Sequence, residues 1–124
     1  MEGLSLITYK GKTIVYVDYS IPGKLKSKEK TIALIQSGTD TFKKFPLRSV
    51  LAIINAESFF FDMDVVSVFR KSQNECEAYE KKVAVIGVSG LIKVAYNFIV
   101  GLTMNTKFRI FNTELEAKEW LVKD

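Results

Sequence analysis

An almost continuous apolar run places the tightest limit on how this chain folds. Every residue from Val83 to Val88 is apolar apart from Gly87. A run of this kind is typical of a strand buried on both faces, as in a sheet covered by helices. A second such run occupies residues 50–54, and helix-like stretches lie on each side of both. The pattern therefore predicts an α/β protein built around a central sheet.

Three further strands are predicted from composition and alternation. Residues 4–9 and 13–19 are rich in β-branched and aromatic side chains, and the short link Lys10-Gly11-Lys12 between them predicts a hairpin turn. Residues 107–111 alternate as an edge strand does. Pro22-Gly23 follows the hairpin and is expected to break the strand pattern.

Helices are predicted from their start signals and apolar stripes. The starts are Ser27, Asp62 or Asp64, and the capping box formed by Thr113 with Glu116. Residues 91–104 are predicted to form a further helix that is apolar almost all round. Cys76 lies on the apolar stripe of the second helix, which favours a small core residue over a nucleophile.

The predicted element order is β-β-α-β-α-β-α-β-α. An initial hairpin followed by alternating units predicts a single domain over residues 1–124, with a mixed, mainly parallel five-stranded sheet and four helices.

Several features predict a cytoplasmic, soluble protein. The single cysteine excludes an internal disulfide and fits a reducing compartment. The first five residues lack the basic and apolar regions of a secretory signal. The longest apolar stretch, residues 91–104, is shorter than the roughly 20 residues that a membrane-spanning helix needs.

The net charge of +4 is concentrated in residues 1–44, around Lys24, Lys26, Lys28 and Lys30. Such a cluster could contact phosphates of nucleic acid or an anionic membrane. No arginine or aromatic residue is interleaved with these lysines, which favours a solvated loop. We therefore expect no nucleic-acid partner, and membrane contact that is peripheral at most.

Three segments together resemble a known family. They are the strand at residues 50–54 with its following loop, the run at 82–87, and the C-terminal segment 108–121 with its Phe-x-x-x-x-Glu-Ala-x-x-Trp-Leu ending. This combination resembles the SpoIIAA-like family of the STAS superfamily, which shares a general architecture with CRAL-TRIO lipid-binding domains. The resemblance implies a single STAS-like domain that regulates by binding and does not catalyse a reaction.

The resemblance also implies a place for a regulatory phosphate. Antagonists of anti-sigma factors in this superfamily bind a protein partner and are switched by phosphorylation of a serine after the third strand. Ser58 is the only hydroxyl in the corresponding loop, residues 55–62, and the usual Asp-Ser-Ser-Gly-like motif is missing. Ser58 is therefore the candidate phosphorylation site, although Glu57, Asp62 and Asp64 would repel a phosphate there.

The residue inventory argues against an enzyme. The chain has no histidine and one cysteine, so common general bases and His- or Cys-rich metal sites are missing. We expect no catalytic residue, cofactor or metal. Polar groups should nevertheless gather where the strands end. These are Asp18, Tyr19, Ser20, Asn55, Glu57, Ser58, Ser89, Gly90 and Asn112.

Two chemical alternatives exist at this edge of the sheet. Glu57 with Asp62 or Asp64 could act as paired carboxylates, but both aspartates stand where helix caps belong. Residues 87–90 could hold an anion with backbone amides, although they lack the lysine and the length of a P-loop.

A surplus of apolar side chains is more informative. Residues 91–104 and the three consecutive phenylalanines carry more apolar surface than one helix stripe needs. The candidate binding surface consists of Phe59, Phe60, Phe61, Leu91, Ile92, Ala95, Tyr96 and Ile99. Three alternatives remain for what covers this apolar surface: burial within the monomer, an interface with a protein partner or a second copy, and a lipophilic ligand or transient membrane contact. The leading expectation is a non-catalytic binding or regulatory module, and the alternative is a carrier or sensor of a lipophilic small molecule.

Overall fold

A computed structural model describes residues 1–88 and 107–123 of the chain. Five strands form one sheet in the order β1-β2-β3-β4-β5. They are β1 Leu4–Tyr9, β2 Lys12–Asp18, β3 Val50–Asn55, β4 Glu80–Ile86 and β5 Phe108–Ile110. The first pair is antiparallel and the other three pairs are parallel. The predicted mixed, mainly parallel α/β sheet is confirmed.

The hairpin between β1 and β2 is a tight two-residue turn. Tyr9 pairs with Lys12, and the two residues between them have φ angles of 49° at Lys10 and 80° at Gly11. Two successive left-handed residues match the twist of the flanking strands, which is why such turns join antiparallel pairs.

Within residues 1–88 and 107–123, four helices accompany the sheet. They are α1 Ser20–Lys24, α2 Lys28–Phe42, α3 Met63–Cys76 and α4 Glu114–Val122. Three predicted caps are confirmed: Ser27 accepts a hydrogen bond from the amide of Lys30, Asp62 from those of Asp64 and Val65, and Thr113 from that of Glu116. The predicted helix at residues 91–104 lies outside the described residues.

The short helix α1 follows the strand pattern that Pro22-Gly23 is predicted to break. Strand β2 ends at Asp18, and Pro22 and Gly23 both lie inside α1. A proline in the first turn of a helix removes only an amide that has no partner within the helix. Strand β4 begins at Glu80, earlier than predicted, and ends at Ile86. Gly87 and Val88 therefore follow the strand.

The central strands are buried on both faces, as their apolar runs predict. Helices α2 and α3 cover one face, where Val15, Ala52 and Val83 meet side chains such as Leu34 and Val65. Helix α4 covers the other face, where Ile14, Ile53 and Ala84 meet Ala117 and Leu121. Alternate residues of each strand therefore belong to two separate cores.

The parallel strands define two opposite edges of the sheet. β2, β3, β4 and β5 all end at the carboxyl edge, and all begin at the opposite amino edge. α2 and α3 start near the carboxyl edge and end near the amino edge, since each joins consecutive parallel strands. Over the part of the chain that the structure describes, we find no helix with the length and apolar character needed to cross a bilayer.

Candidate functional site

The predicted polar edge forms where β2, β3 and β4 end side by side. Asp18 lies opposite Asn55 in the sheet, and Asn55 lies opposite Ile86. Beyond the strands, the Tyr19 amide donates to the Asn55 carbonyl oxygen at 2.9 Å. The loops that follow β2 and β3 are thus tied together at the carboxyl edge.

The polar side chains of this edge shape its turns. The Asp18 carboxylate accepts hydrogen bonds from both the amide and the hydroxyl of Ser20, at 2.9 and 2.6 Å. The Asn55 side-chain oxygen accepts from the Glu57 amide at 3.0 Å. Such bonds from a side chain to a nearby amide stabilise turns. Asp18 and Asn55 therefore hold the loops in place.

Gly87 lets two loops approach each other. Its φ angle is +75°, and a β-carbon there would lie 2.6 Å from the Asn55 side-chain oxygen and 2.7 Å from the Glu57 nitrogen. Only glycine combines this conformation with this space. Ser89 and Gly90, which would complete the predicted anion cradle, lie outside the described residues.

The three phenylalanines of the loop after β3 do not share one environment. Phe59 is only 8% exposed and its ring lies 4.9 Å from that of Tyr19 and 5.8 Å from that of Phe69, between centroids. Phe60 and Phe61 are half-buried against the same core. Aromatic residues from α3 and the end of β2 enclose the Phe59 ring, so Phe59 contributes little exposed surface, and its assignment to a binding surface stays a prediction.

An exposed methionine extends the remaining surface. Met63, the first residue of α3, is 85% exposed. Lys28 forms ion pairs with Asp62 and Asp64, the residues on either side of Met63. These contacts hold the start of α3 while the Met63 side chain projects into solvent. We call Phe60, Phe61 and Met63 the apolar rim.

Sequence reasoning missed Met63, although a signal for it existed. Val65 lies on the buried stripe of α3, and a residue two positions earlier is turned by roughly 200° round a helix. That rotation places Met63 on the side opposite the core.

The candidate phosphorylation site lies in the loop, before the helix. Ser58 is half-buried and has a left-handed φ angle of 59°. Amides in the first turn of a helix have no acceptor within the helix. In α3 the amides of Asp64 and Val65 donate instead to the Asp62 carboxylate. A phosphate on Ser58 would therefore find this helix start occupied, and the assignment of Ser58 stays a prediction.

The titratable groups at and near the site have pKa values that are shifted away from neutral pH. Burial, followed by the neighbouring Glu114 carboxylate, raises the pKa of Tyr16 to about 12. Burial raises the pKa of Tyr19 as well, and it raises the pKa of the Cys76 thiol to about 11. Desolvation acts to raise the pKa of Asp62, but the backbone hydrogen bonds and Lys28 outweigh it and lower that pKa. General acids and bases work best with pKa values near the working pH, and none of these groups is moved in that direction.

The other members of the predicted set are placed as follows. Leu91, Ile92, Ala95, Tyr96 and Ile99 lie outside the described residues. Within residues 1–88 and 107–123, no three histidine, cysteine or acidic side chains come together as a metal site requires. Glu57 is exposed and Asp62 caps α3, so the capping interpretation of that aspartate is confirmed.

Comparison with protein-family models, with curated proteins and with solved structures found no match to this chain. The resemblance to the SpoIIAA-like family therefore stays a prediction from the residues that carry it.

Proposed function

We propose that this chain is a non-catalytic binding or regulatory module of the STAS type, which recruits a protein partner or a second copy of itself through the apolar rim. The observation that carries the proposal is the 85% exposure of Met63 beside the half-buried Phe60 and Phe61. Covering an apolar side chain of this size is worth roughly 1.5–3 kcal/mol, which is a substantial contribution to the binding of a partner.

Rigidity around the rim supports recognition. α3 is capped by Asp62 and linked to α2 through Lys28. Phe61 packs against the buried Phe59 with 4.7 Å between the ring centroids and 51° between the ring planes. A surface held in one conformation loses less entropy on binding than a mobile one.

The chemistry of the described residues supports binding over catalysis. Cys76 carries a protonated thiol at neutral pH, since burial raises its pKa to about 11. The carboxylates with lowered pKa values, among them Asp62 and Glu119, hold ion pairs or hydrogen bonds. These side chains are committed to structure.

The test compares two exposed positions of similar chemistry. Met63→Ser removes an apolar side chain from the rim, and Leu6→Ser removes one from the edge strand β1, away from the rim. Analytical ultracentrifugation measures self-association, and quantitative affinity purification from the native cells identifies partners. We expect one specific association to weaken about tenfold or more with Met63→Ser and to persist with Leu6→Ser. If both variants keep every association, or if the purified protein turns over a substrate, the proposal is wrong.

A carrier of a lipophilic small molecule is the second candidate, and one groove favours it. The groove has a volume of about 320 Å³ and is lined by Met1, Glu2, Ile21, Pro22, Lys30, Ala33 and Leu34. This volume lies at the lower end of the range for small-molecule sites. Native mass spectrometry separates the two candidates, because a bound apolar molecule adds its own mass whereas a dimer doubles the mass of the chain.

A further inference from the structure

Charged side chains are divided unequally between the two edges of the sheet. Nine basic residues of the described chain lie at the amino edge: Lys10, Lys12, Lys43, Lys44, Arg48, Lys81, Lys82, Lys107 and Lys123. Five acidic residues of the described chain share that edge: Asp40, Glu75, Glu77, Glu80 and Glu119. Nine against five leaves a balance of +4 at this edge.

The carboxyl edge has the opposite balance. Among the described residues, four of its lysines are Lys24, Lys26, Lys28 and Lys30, and a fifth, Lys118, pairs with Glu114 at 2.8 Å. Eight acidic residues accompany them: Glu2, Asp18, Glu29, Glu57, Asp62, Asp64, Glu114 and Glu116. The lysine cluster that is prominent in the sequence is therefore outweighed by carboxylates, and over the described residues the positive balance of charge lies at the amino edge.

Several cations of the amino edge are open to an external anion. Lys10 and Lys43 pair with Glu119 and Glu75. Lys44, Arg48 and Lys81 are exposed and make no ion pair with any residue that the structure describes. A bound anion would supply the partner that these three side chains lack among the described residues.

One loop of this edge combines charge with an exposed apolar side chain. Leu47 is 65% exposed and lies between Pro46 and Arg48, in the link from α2 to β3. The Arg48 amide donates to the Ala78 carbonyl oxygen at 3.0 Å, and the Ser49 hydroxyl to the Pro46 carbonyl oxygen at 2.6 Å. The loop is thus fixed from both sides, and Leu47 projects from it.

A groove lies beside the loop. It has a volume of about 490 Å³, and its lining includes Lys12, Phe45, Arg48 and Lys81. A groove lined by three basic side chains and one half-buried aromatic ring suits a phosphate-bearing headgroup with an apolar neighbour.

We propose that the amino edge docks on the surface of an anionic lipid bilayer, with Leu47 entering the boundary between headgroups and acyl chains. Anionic lipid attracts each nearby lysine or arginine, and the interface accepts an apolar side chain. Nucleic acid would satisfy the cations but would leave Leu47 without an apolar environment. This surface is separate from the apolar rim, so the proposal does not depend on the function proposed above.

The chain contains its own matched control at the other edge. Leu25 is 59% exposed and is followed by Lys26, whose φ angle of 51° is close to the 58° of Arg48. Leu25-Lys26 and Leu47-Arg48 are therefore alike in exposure and backbone conformation, but they lie in fields of opposite sign. The variants to compare are Leu25→Ser/Lys26→Asn and Leu47→Ser/Arg48→Asn, in which asparagine tolerates the left-handed backbone.

The experiment measures co-sedimentation of the full chain with vesicles of phosphatidylcholine, alone or with about 30% phosphatidylserine. We expect binding only with phosphatidylserine, and release of the protein in about 0.5 M salt. Leu47→Ser/Arg48→Asn should weaken partitioning on the order of tenfold, and Leu25→Ser/Lys26→Asn should leave it unchanged. Thermal unfolding checks that both variants are folded.

Three results would overturn the proposal. They are no binding to anionic vesicles, equal loss of binding in both double variants, and binding to a single-stranded or duplex oligonucleotide in place of vesicles. If Met63→Ser does not affect protein association, the result of the vesicle experiment is unaffected, since Met63 lies at the opposite edge.

Discussion

Gly23 packs directly against the backbone of Ser58: a β-carbon on Gly23 would lie 1.9 Å from the Ser58 carbonyl oxygen. α1 therefore rests on the loop that carries the three phenylalanines. This contact sets the position of Phe59 next to Tyr19, and through Phe59 it supports the apolar rim.

The contact predicts opposite effects for two glycine substitutions in helices. Gly23→Ala should lower the free energy of unfolding by about 2 kcal/mol or more, because backbone atoms must move to admit the methyl group. Gly38→Ala should raise it by up to about 1 kcal/mol, since among the described residues a β-carbon there would meet only the Val17 side chain, at 3.8 Å. Urea unfolding measures both. Equal effects of the two substitutions would show that α1 does not need this close approach.

Cys76 should be inert in the folded protein. The thiol is buried on α3, 3.8 Å from the Ser72 hydroxyl, and burial raises its pKa to about 11. Because the thiolate is the reactive form, we expect a thiol-specific disulfide reagent at neutral pH to react on the order of 100-fold more slowly with the native chain than with the chain in urea. Rapid modification of the native protein would contradict the core role of Cys76.

The same thiol predicts a loss of stability in alkali. An unfolded cysteine begins to ionise near its ordinary pKa of about 8.5, whereas the folded thiol keeps its proton. Since the unfolded state then binds fewer protons, the free energy of unfolding should fall as the pH rises from about 8.5 towards 11. Cys76→Ala should have a flatter profile over this window, as measured by urea unfolding at several pH values. An unchanged slope would show that the thiol is not the group responsible.

Acid should destabilise the protein through paired carboxylates. Hydrogen bonds from Tyr9 and Lys10 lower the pKa of Glu119, and Lys43 lowers that of Glu75. The stabilisation from each carboxylate is complete above its unfolded pKa, near 4, and is lost as the pH falls through the lower folded value. Glu119→Gln should therefore show a shallower loss of thermal stability below about pH 4. Glu57→Gln is the control, because that exposed carboxylate makes no ion pair with a described residue.

Most of the contribution of α4 to the stability of the protein should come from the buried face of the helix. Leu121 is buried against the core that includes Ile53, whereas Leu115 on the same helix is exposed. Leu121→Ala should cost about 3 kcal/mol and Leu115→Ala less than about 0.5 kcal/mol, measured by urea unfolding. Similar costs at the two positions would mean that α4 is not docked through this face.

Local chemistry explains what could be predicted from the sequence. The β3 and β4 strands were predicted from their apolar runs because burial on both faces leaves no position for polar residues. The starts of α2, α3 and α4 were predicted because Ser27, Asp62 and Thr113 bond amides only two or three residues away. These interactions form within one segment of chain.

Tertiary structure alone decided which surfaces are available for binding. Phe59 enters the core because Tyr19 and Phe69 arrive from other elements, whereas its neighbour Phe60 stays half-buried. Sequence order likewise places the positive charge in residues 24–30, but folding brings carboxylates from α3 and α4 to that edge and gathers basic residues from separate segments at the opposite edge. Electrostatic potential and exposure depend on distance in space, and distance along the chain does not determine them.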